Sequence, residues 1–567
     1  MKKWLFLPIF VVFYLFSYMS CYAQSQVNGM GMSGVIDDSF NKDYRNTPFP
    51  RDKNAKIITE KELLDKLPQE TSAETVYVSN FDITGNRVID KKDLQMALSD
   101  YIERNLTLQQ LNEAADVITK YYRNKGYIIS YAYIPPQVVN NSTIMISVVE
   151  GEIGDVYVEG LSDYKKEFIL KYLAPLQKGI VLDTKTLERR LLLLNSYMDL
   201  KVNATLKPGK RKGTSDIIIY AQDTNPYRAS FSIDNFGNKL TNQYRLNGAA
   251  MIGNVIKSGD RLALNLSLGL DNFNPWQLFF GRIDYRLPIG SEGFKLGFAY
   301  GRSNYIVTNT FDMLGLEGFS NDYSIYTEYP LLLRNQGTLY LGAGIYVKDA
   351  ADIWKIKDYG EEVEERDILV TAGLSLFGEA YPWVGANMYY SLAFTQGLNG
   401  FLGASHYSPT STNQYASGYY EKLYFDYEYH QFITWFFRMR FLFSAQFVSD
   451  TTFASERFYI GGIYSVRGFD SGLESGDNGY RLSLEAEFDL GIPQIKALMF
   501  YDRGQVFNYN SDYYLYKDAS LDSVGAGLRF YPWKGLAIKI DYGYPLMSSQ
   551  PHKKGWGTIY GRISYDF

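Results

Sequence analysis

Past residue 223 the chain alternates between apolar and small or charged residues, in stretches long enough to cross a membrane as tilted strands. Leu262, Leu264, Leu266, Leu268 and Leu270 alternate with Arg261, Ala263, Asn265, Ser267 and Gly269. Phe294, Leu296, Phe298 and Tyr300 alternate with Lys295, Gly297, Ala299 and Gly301. The same pattern runs through Leu482–Leu490, set against Arg481, Ser483, Glu485, Glu487 and Asp489, and through Leu536–Tyr544, set against Ala537, Lys539, Asp541 and Gly543. Successive side chains of a strand point to opposite faces, so each stretch has one wholly apolar face. The runs span about seven to ten residues, near the ~9–11 of a tilted transmembrane strand and longer than the ~5–6 usual in soluble sheets. A soluble sandwich or propeller also alternates, but without so consistent a lining of Leu and aromatics over such lengths. In lipid an unpaired backbone group costs several kcal/mol, so a sheet of this kind has to close. The fold class predicted for 223–567 is therefore an all-β transmembrane barrel of about 16 antiparallel strands, at about 22 residues per strand and connection; 14 or 18 strands also fit.

Composition agrees. Among 567 residues there are 50 Tyr, 35 Phe, 7 Trp and 49 Gly, which suits many turns and an aromatic outer surface. Beyond the N-terminus no run of about 18 apolar residues occurs, which excludes a helical membrane protein. A net charge of −5 lacks the basic footprint of a nucleic-acid binder. His406, His430 and His552 are far apart and Cys21 is the only cysteine, so disulfide frameworks, thiol chemistry and zinc sites are excluded and no cofactor or metal is expected.

At the N-terminus Lys2 and Lys3 precede the apolar run Trp4–Phe16, and Cys21-Tyr22-Ala23 offers small residues for cleavage before Gln24. This is the layout of a signal peptide over 1–23. Residues 24–75 are polar and turn-rich, a linker in which only Thr59–Leu67 looks helical. From Val76 compact α+β patterns begin. Val76–Ile83 reads as a strand, Lys91–Ile102 as a helix, and Thr107 caps a second helix with Leu111, Ala115, Ile118 and Tyr122 on one face before Gly126. Strands containing Ile129, Tyr131 and Tyr133, then Ile144, Ile146 and Val148, complete the unit. The order repeats with a strand at Gly154–Glu159, helices at Lys166–Leu173 and from Asp183 through Asn195, and strands at Leu200–Leu206 and Asp216–Tyr220. Two tandem modules, 76–150 and 151–222, are the simplest account.

Two features of the barrel region stand apart. The chain ends on Gly561, Ile563, Tyr565 and Phe567 facing outward and Tyr560, Arg562, Ser564 and Asp566 facing inward. A terminal aromatic on the outer face fits an assembly signal read by strand addition during barrel insertion. Between two alternating segments lies Phe458–Phe469, whose glycines and single cation do not suit a lipid-facing strand, followed by Phe500-Tyr501-Asp502-Arg503-Gly504. Alternation puts Phe500 and Asp502 on one face, and a carboxylate is far cheaper in a wet bore than in lipid.

With Val466-Arg467-Gly468-Phe469 and Phe500-x-Asp502-x-Gly504, the sequence resembles the superfamily of POTRA-bearing outer-membrane barrels, most closely the two-partner secretion translocators of the ShlB/FhaC/HecB haemolysin secretion/activation family. Gly151-Glu152-Ile153, Ser232–Gly237 and Tyr285–Gly290 support the resemblance, which spans nearly the whole mature chain. It implies a signal peptide, two POTRA modules in the periplasm and a 16-stranded barrel in the outer membrane of a Gram-negative-type cell. It further implies that the loop bearing Arg467 folds back into the lumen and that Arg467 locks onto Asp502 on the inner wall. Family members often have an N-terminal helix that plugs the pore, for which Thr59–Leu67 is short.

The function expected on this basis is a protein-export pore. An unfolded secreted exoprotein would dock on residues within 76–222 and thread the lumen of a monomeric barrel set in outer-membrane lipid. No phosphate-binding G-x-x-x-x-G-K-[ST] loop is present to support ATP hydrolysis. An assembly factor inserting other barrels is the alternative, although those carry three or more POTRA modules; a passive porin would leave two modules unexplained. Catalysis lacks both a G-x-S-x-G elbow and a metal cluster.

Overall fold

The computed structural model describes residues 56–59, 74–160, 164, 166–271, 277–308, 315–356, 361–405, 411–413, 415–509, 517–548 and 556–567. The signal segment 1–23 and most of the linker 24–75 lie outside the described residues. The chain divides near residues 225 and 226 into two units.

In the first module the strand Asn80–Thr84 pairs in parallel with Thr143–Val149, which pairs antiparallel with Tyr131–Tyr133. Helices Lys91–Ala97 and Leu108–Lys125 accompany this sheet. The second helix starts in a capping box: Gln110 N–H donates to Thr107 Oγ1 at 3.2 Å and Thr107 N–H to Gln110 Oε1 at 2.9 Å, which satisfies two otherwise orphaned donors. It stops at Gly126, whose φ of 106° needs no Cβ. Leu111, Ala115, Ile118 and Tyr122 bury that face against Phe81, Ile83, Ile144 and Ile146. Two elements differ from expectation. The first helix ends at Ala97 and gives way to a 3-10 turn over Ser99–Tyr101. The strand read as Val76–Ile83 is broken at Ser79, whose N–H turns to Ser142 O, so Thr75–Val78 pairs instead with Arg104–Thr107.

The second module has a four-stranded sheet in the order Ile57–Thr59, Leu200–Pro208, Thr214–Asp223, Glu152–Glu159. Helices Lys166–Leu173 and Thr184–Asn195 accompany it, the latter capped by Asp183. Leu200, Val202, Ala204 and Leu206 alternate into its core. Thr59 closes a strand here rather than opening a helix, with Ile57 in parallel register with Ala204. Two β-branched isoleucines meet the free edge of a distant strand, a partner that local periodicity does not reveal. Residues 60–67 of the expected helix lie outside the described residues.

The modules meet at Glu150 and Gly151. The fully buried Glu150 carboxylate accepts from the N–H groups of Arg87 and Val88 at 2.6 and 2.9 Å, from Arg87 Nε at 3.2 Å and from the Tyr122 hydroxyl at 2.9 Å. Burial, and then the Glu150 charge, push the Tyr122 hydroxyl far above the ordinary phenol range, so it stays a donor. Arg87 also reaches Glu152 at 2.8 Å, and Thr184 N–H donates to Gly126 O at 2.9 Å, tying one module to the next.

The barrel has sixteen antiparallel strands, from Tyr227–Asp234 to Thr558–Asp566, each beside its neighbour in sequence, and the last pairs with the first. Sixteen therefore replaces the wider range that length alone allowed. Its outward face carries Leu264, Leu266, Phe298, Leu484, Ile540, Tyr542, Ile563 and Phe567, all exposed, while Ser483, Asp502 and Asp541 on the other face are buried. Most strands have 8 to 13 residues, but Glu317–Arg334 has 18 and Gly337–Ile356 and Glu361–Ala380 have 20 each. The extra length was illegible because Asp349, Asp352, Glu364 and Arg366 interrupt the apolar alternation there.

Glu150→Ala strips four donors of a buried acceptor and should destabilise the first module by ~2–4 kcal/mol. Hydrogen exchange on the full-length protein should quicken across residues 85–88 and the helix Leu108–Lys125, with the barrel strands unchanged; unchanged exchange would contradict this role.

Candidate functional site

Between the wall strands Phe437–Val448 and Asn478–Asp489 the chain leaves the barrel sheet and forms a small hairpin of its own, Phe458–Ile460 against Glu474–Gly476. Phe458, Ile460, Val466 and Phe469 pack with Val506, Ala519 and Leu521 of the wall in one buried cluster, so the hairpin lies in the lumen. At its base Arg457, also buried, donates from Nε to Ser475 Oγ at 3.1 Å and from Nη2 to Ser475 O at 2.9 Å, and stands 3.6 Å from the buried Asp477.

The tip of the hairpin places Arg467 against the wall. Its Nε donates to Asp502 Oδ2 at 2.7 Å and its Nη2 to Asp502 Oδ1 at 2.8 Å, a two-pronged pair matched to the guanidinium fork. The Arg467 N–H also donates to Asp502 Oδ2, at 3.1 Å. Ser483 Oγ donates to Asp502 Oδ1 at 2.6 Å and accepts from Arg467 Nη2 at 2.9 Å. Nη1 faces Glu485 at 2.8 Å and Asp541 at 3.7 Å. Below the guanidinium lies the Phe500 ring, 3.4 Å from Cζ to centroid. Arg467 is 4% exposed and Asp502 0%, so each charge depends on the other for what water would supply. The pair belongs to a longer chain of charges: Glu428 holds Arg440 at 2.6 Å, Arg440 holds Glu485 at 3.1 Å, and Asp541 holds Arg529 at 2.5 Å.

Small residues make the seat. Gly468 has φ of 95°, and a Cβ on it would press 2.9 Å from the backbone of Gly543; a Cβ on Gly543 would in turn collide with Gly468 N. A Cβ on Gly504 would stand 2.9 Å from Val466 and 3.0 Å from Ile460, so Gly504 leaves room for the hairpin. Gly525 leaves room for the Phe500 ring in the same way. From the last strand the Tyr560 hydroxyl accepts from Gly468 N–H at 3.1 Å and donates to Phe469 O at 2.6 Å.

The structure thus brings Val466, Arg467, Gly468, Phe469, Phe500, Asp502 and Gly504 to one place. Gly561, Ile563, Tyr565 and Phe567 lie on the last wall strand and its end instead, with Phe567 packed edge-on against Phe231 of the first strand at 6.0 Å. Sequence reasoning put Ser483, Glu485, Asp541, Gly543 and Tyr560 on the inward face but did not join them to Arg467. Strand period gives the face, and only closure of the sheet gives the neighbour. Gly525 and Arg457 carried no signal of their own. No group of three or more His, Cys, Asp or Glu that could hold a metal ion occurs among the described residues.

Gly543→Ala should lift the hairpin tip while leaving the wall intact, because the new methyl meets backbone on both sides. Trypsin should then cut after Arg467 in detergent-solubilised protein where the parent resists; equal resistance would show that the tip does not rest on Gly543.

Comparison with known proteins identifies the family. Residues 213–530 match the family model of the haemolysin secretion/activation protein ShlB/FhaC/HecB, and residues 76–151 match the POTRA domain of ShlB type. The chain is similar to the heme/hemopexin transporter protein HuxB of Haemophilus influenzae, at 23% identity over 81% of this chain and 82% of that one. To the hemolysin transporter protein ShlB of Serratia marcescens it is 23% identical over 88% and 87%. Among solved structures, CdiB from Escherichia coli superposes with a TM-score of 0.76 at 21% identity, covering 95% of this chain and 98% of that one. The protein is an outer-membrane barrel with its POTRA modules in the periplasm. More than half of its length, including both Arg467 and Asp502, falls within one family model, and the chain belongs to the haemolysin secretion/activation family ShlB/FhaC/HecB.

Proposed function

We propose that this chain is the export pore of a two-partner secretion pair. A secreted exoprotein, held unfolded in the periplasm, docks as an extended strand on the POTRA modules over 76–222, passes through the lumen without ATP and folds at the cell surface. Folding outside removes exported chain from the equilibrium and supplies direction. The observation that supports a regulated pore is the Arg467 hairpin, which occupies the lumen yet is anchored there mainly by side-chain contacts and a glycine seat. A ring of backbone pairs could not be released without opening the wall, whereas a set of ion pairs can.

The relatives are named as transporters of heme/hemopexin and of hemolysin, which favours export over catalysis and over insertion of other barrels. Depletion separates the two transport readings: loss of one secreted protein supports export, and general loss of outer-membrane proteins supports assembly of other barrels. Removing Arg467 leaves Asp502 buried without its cation, at ~3–5 kcal/mol if the site stays closed to water. Arg467→Ala should therefore reduce secretion of the client while the barrel still reaches the outer membrane. Secretion at the parent rate by that variant would overturn the role assigned to the pair.

The last residues also belong to this proposal as the signal read by the barrel-assembly machinery. Deleting Phe567 removes the terminal ring from the seam, and heat-modifiable, folded barrel in outer-membrane fractions should fall several-fold. An undiminished folded fraction would show that the signal lies elsewhere.

A further inference from the structure

Four cations stand side by side on the lumen wall, in a row that starts beside the rim at Lys496 and Arg529 and reaches mid-strand at Arg562. In cross-strand register Lys496 lies opposite Arg529, Arg529 opposite Lys539, and Lys539 opposite Arg562. Lys539 is two residues from Asp541 on the same strand and so shares its lumenal face. Like charges directly opposite one another destabilise a sheet, so the row works against the stability of the wall that carries it.

Three of the four have carboxylate partners. Lys496 Nζ lies 3.2 Å from Glu487, Arg529 donates to both oxygens of Asp541 at 2.5 and 2.9 Å, and Arg562 donates to Asp234 Oδ2 at 3.0 and 2.6 Å. Those carboxylates are shared, since Glu487 also holds Arg438, Asp234 also holds Arg245, and Asp541 also faces Arg467. Among the described residues Lys539 has no hydrogen bond and no ion pair, and it is half-buried between two arginines. Asp489, the register partner of Lys496, and the exposed Asp566 are further acids of this rim; neither comes within ion-pair distance of Lys539.

We propose that Lys539, framed by Lys496, Arg529 and Arg562, is an anion-binding step just inside the lumen that takes the Asp and Glu carboxylates of an extended polypeptide in transit. The proposal rests on the export reading above. The chemistry fits a passing ligand. Arg529 and Arg562 are fixed by their forks on Asp541 and Asp234 and set the local field, while the Lys539 ammonium is a compact charge on a flexible stem with three unused donors. A single ammonium binds a carboxylate firmly enough to admit it and weakly enough to release it, which is what passage through a pore requires. An acidic segment would also relieve the repulsion within the row.

The test uses full-length protein in detergent with fluorescein-labelled deca-glutamate and deca-lysine, followed by anisotropy. The parent should bind deca-glutamate and not deca-lysine, with affinity falling as salt rises. Lys539→Gln should weaken binding about tenfold or more, the size of one charge-assisted hydrogen bond, Lys539→Arg should retain it, and Lys534→Gln on the exposed turn should leave it unchanged. Because Lys539→Gln removes a repulsion, its barrel should fold, and heat-modifiability checks this. Equal binding by Lys539→Gln and the parent, or no binding of deca-glutamate by the parent, overturns the proposal. A Lys539→Gln barrel that has lost the peptide but secretes client at the parent rate overturns its role in transit. A parent protein that secretes no client counts against the export reading and does not touch the peptide measurement.

Discussion

Closure of one sheet governs everything else in this protein. A strand edge left open in a bilayer exposes backbone groups at several kcal/mol each, so the first and last strands have to find one another across more than three hundred residues. They pair over only five register positions, Ser230–Asp234 against Asp566–Arg562, where the hairpin Gly337–Ile356/Glu361–Ala380 pairs over twenty. Side chains extend the short seam. The Asn235 amide takes the place of a strand, donating to Ile559 O at 2.8 Å and accepting from Gly561 N–H at 2.7 Å. On the lumenal side the fully buried Asp234 draws Arg245 and Arg562 together, and on the outer side Phe567 stands against Phe231.

Once the cylinder is closed, the alternation that makes its exterior apolar sends every second residue inward, and the charges collect there. Buried ion pairs add little net stability compared with apolar packing, but they are strict about geometry, because a misplaced partner leaves a charge without solvent. That strictness suits the Arg467 hairpin. Its tip is held by ionic and hydroxyl contacts from four wall strands, and the glycine pair 468 and 543 lets backbone approach backbone where any side chain would stand in the way. A loop held in this manner has one well-defined resting place, and its tip meets the wall through side chains rather than through strand pairing.

The two modules show the limits of local reading. The helix face Leu111, Ala115, Ile118 and Tyr122 was legible because its period is intrinsic to one element. The break at Ser79 and the strand Ile57–Thr59 were not, because each depends on hydrogen bonds offered by a segment distant in sequence, Ser142 in one case and Leu200–Pro208 in the other. Resemblance pointed to Arg467 and Asp502 as partners. Ser483, Glu485, Asp541 and Tyr560, which complete the site, could be assigned a face and nothing more.

The sequence alone determined that residues past 223 form long, one-sided strands, that two α+β modules precede them, and which side chains face inward, since these follow from periods of 2.0 and 3.6 residues acting over short distances. Tertiary structure decided the strand number, the unequal strand lengths, the meeting of Arg467 with Ser483, Glu485, Asp502 and Asp541, and the isolation of Lys539 among arginines. Those depend on cross-strand register, which is set by pairing of backbones far apart in the chain, and no period within a single strand encodes it.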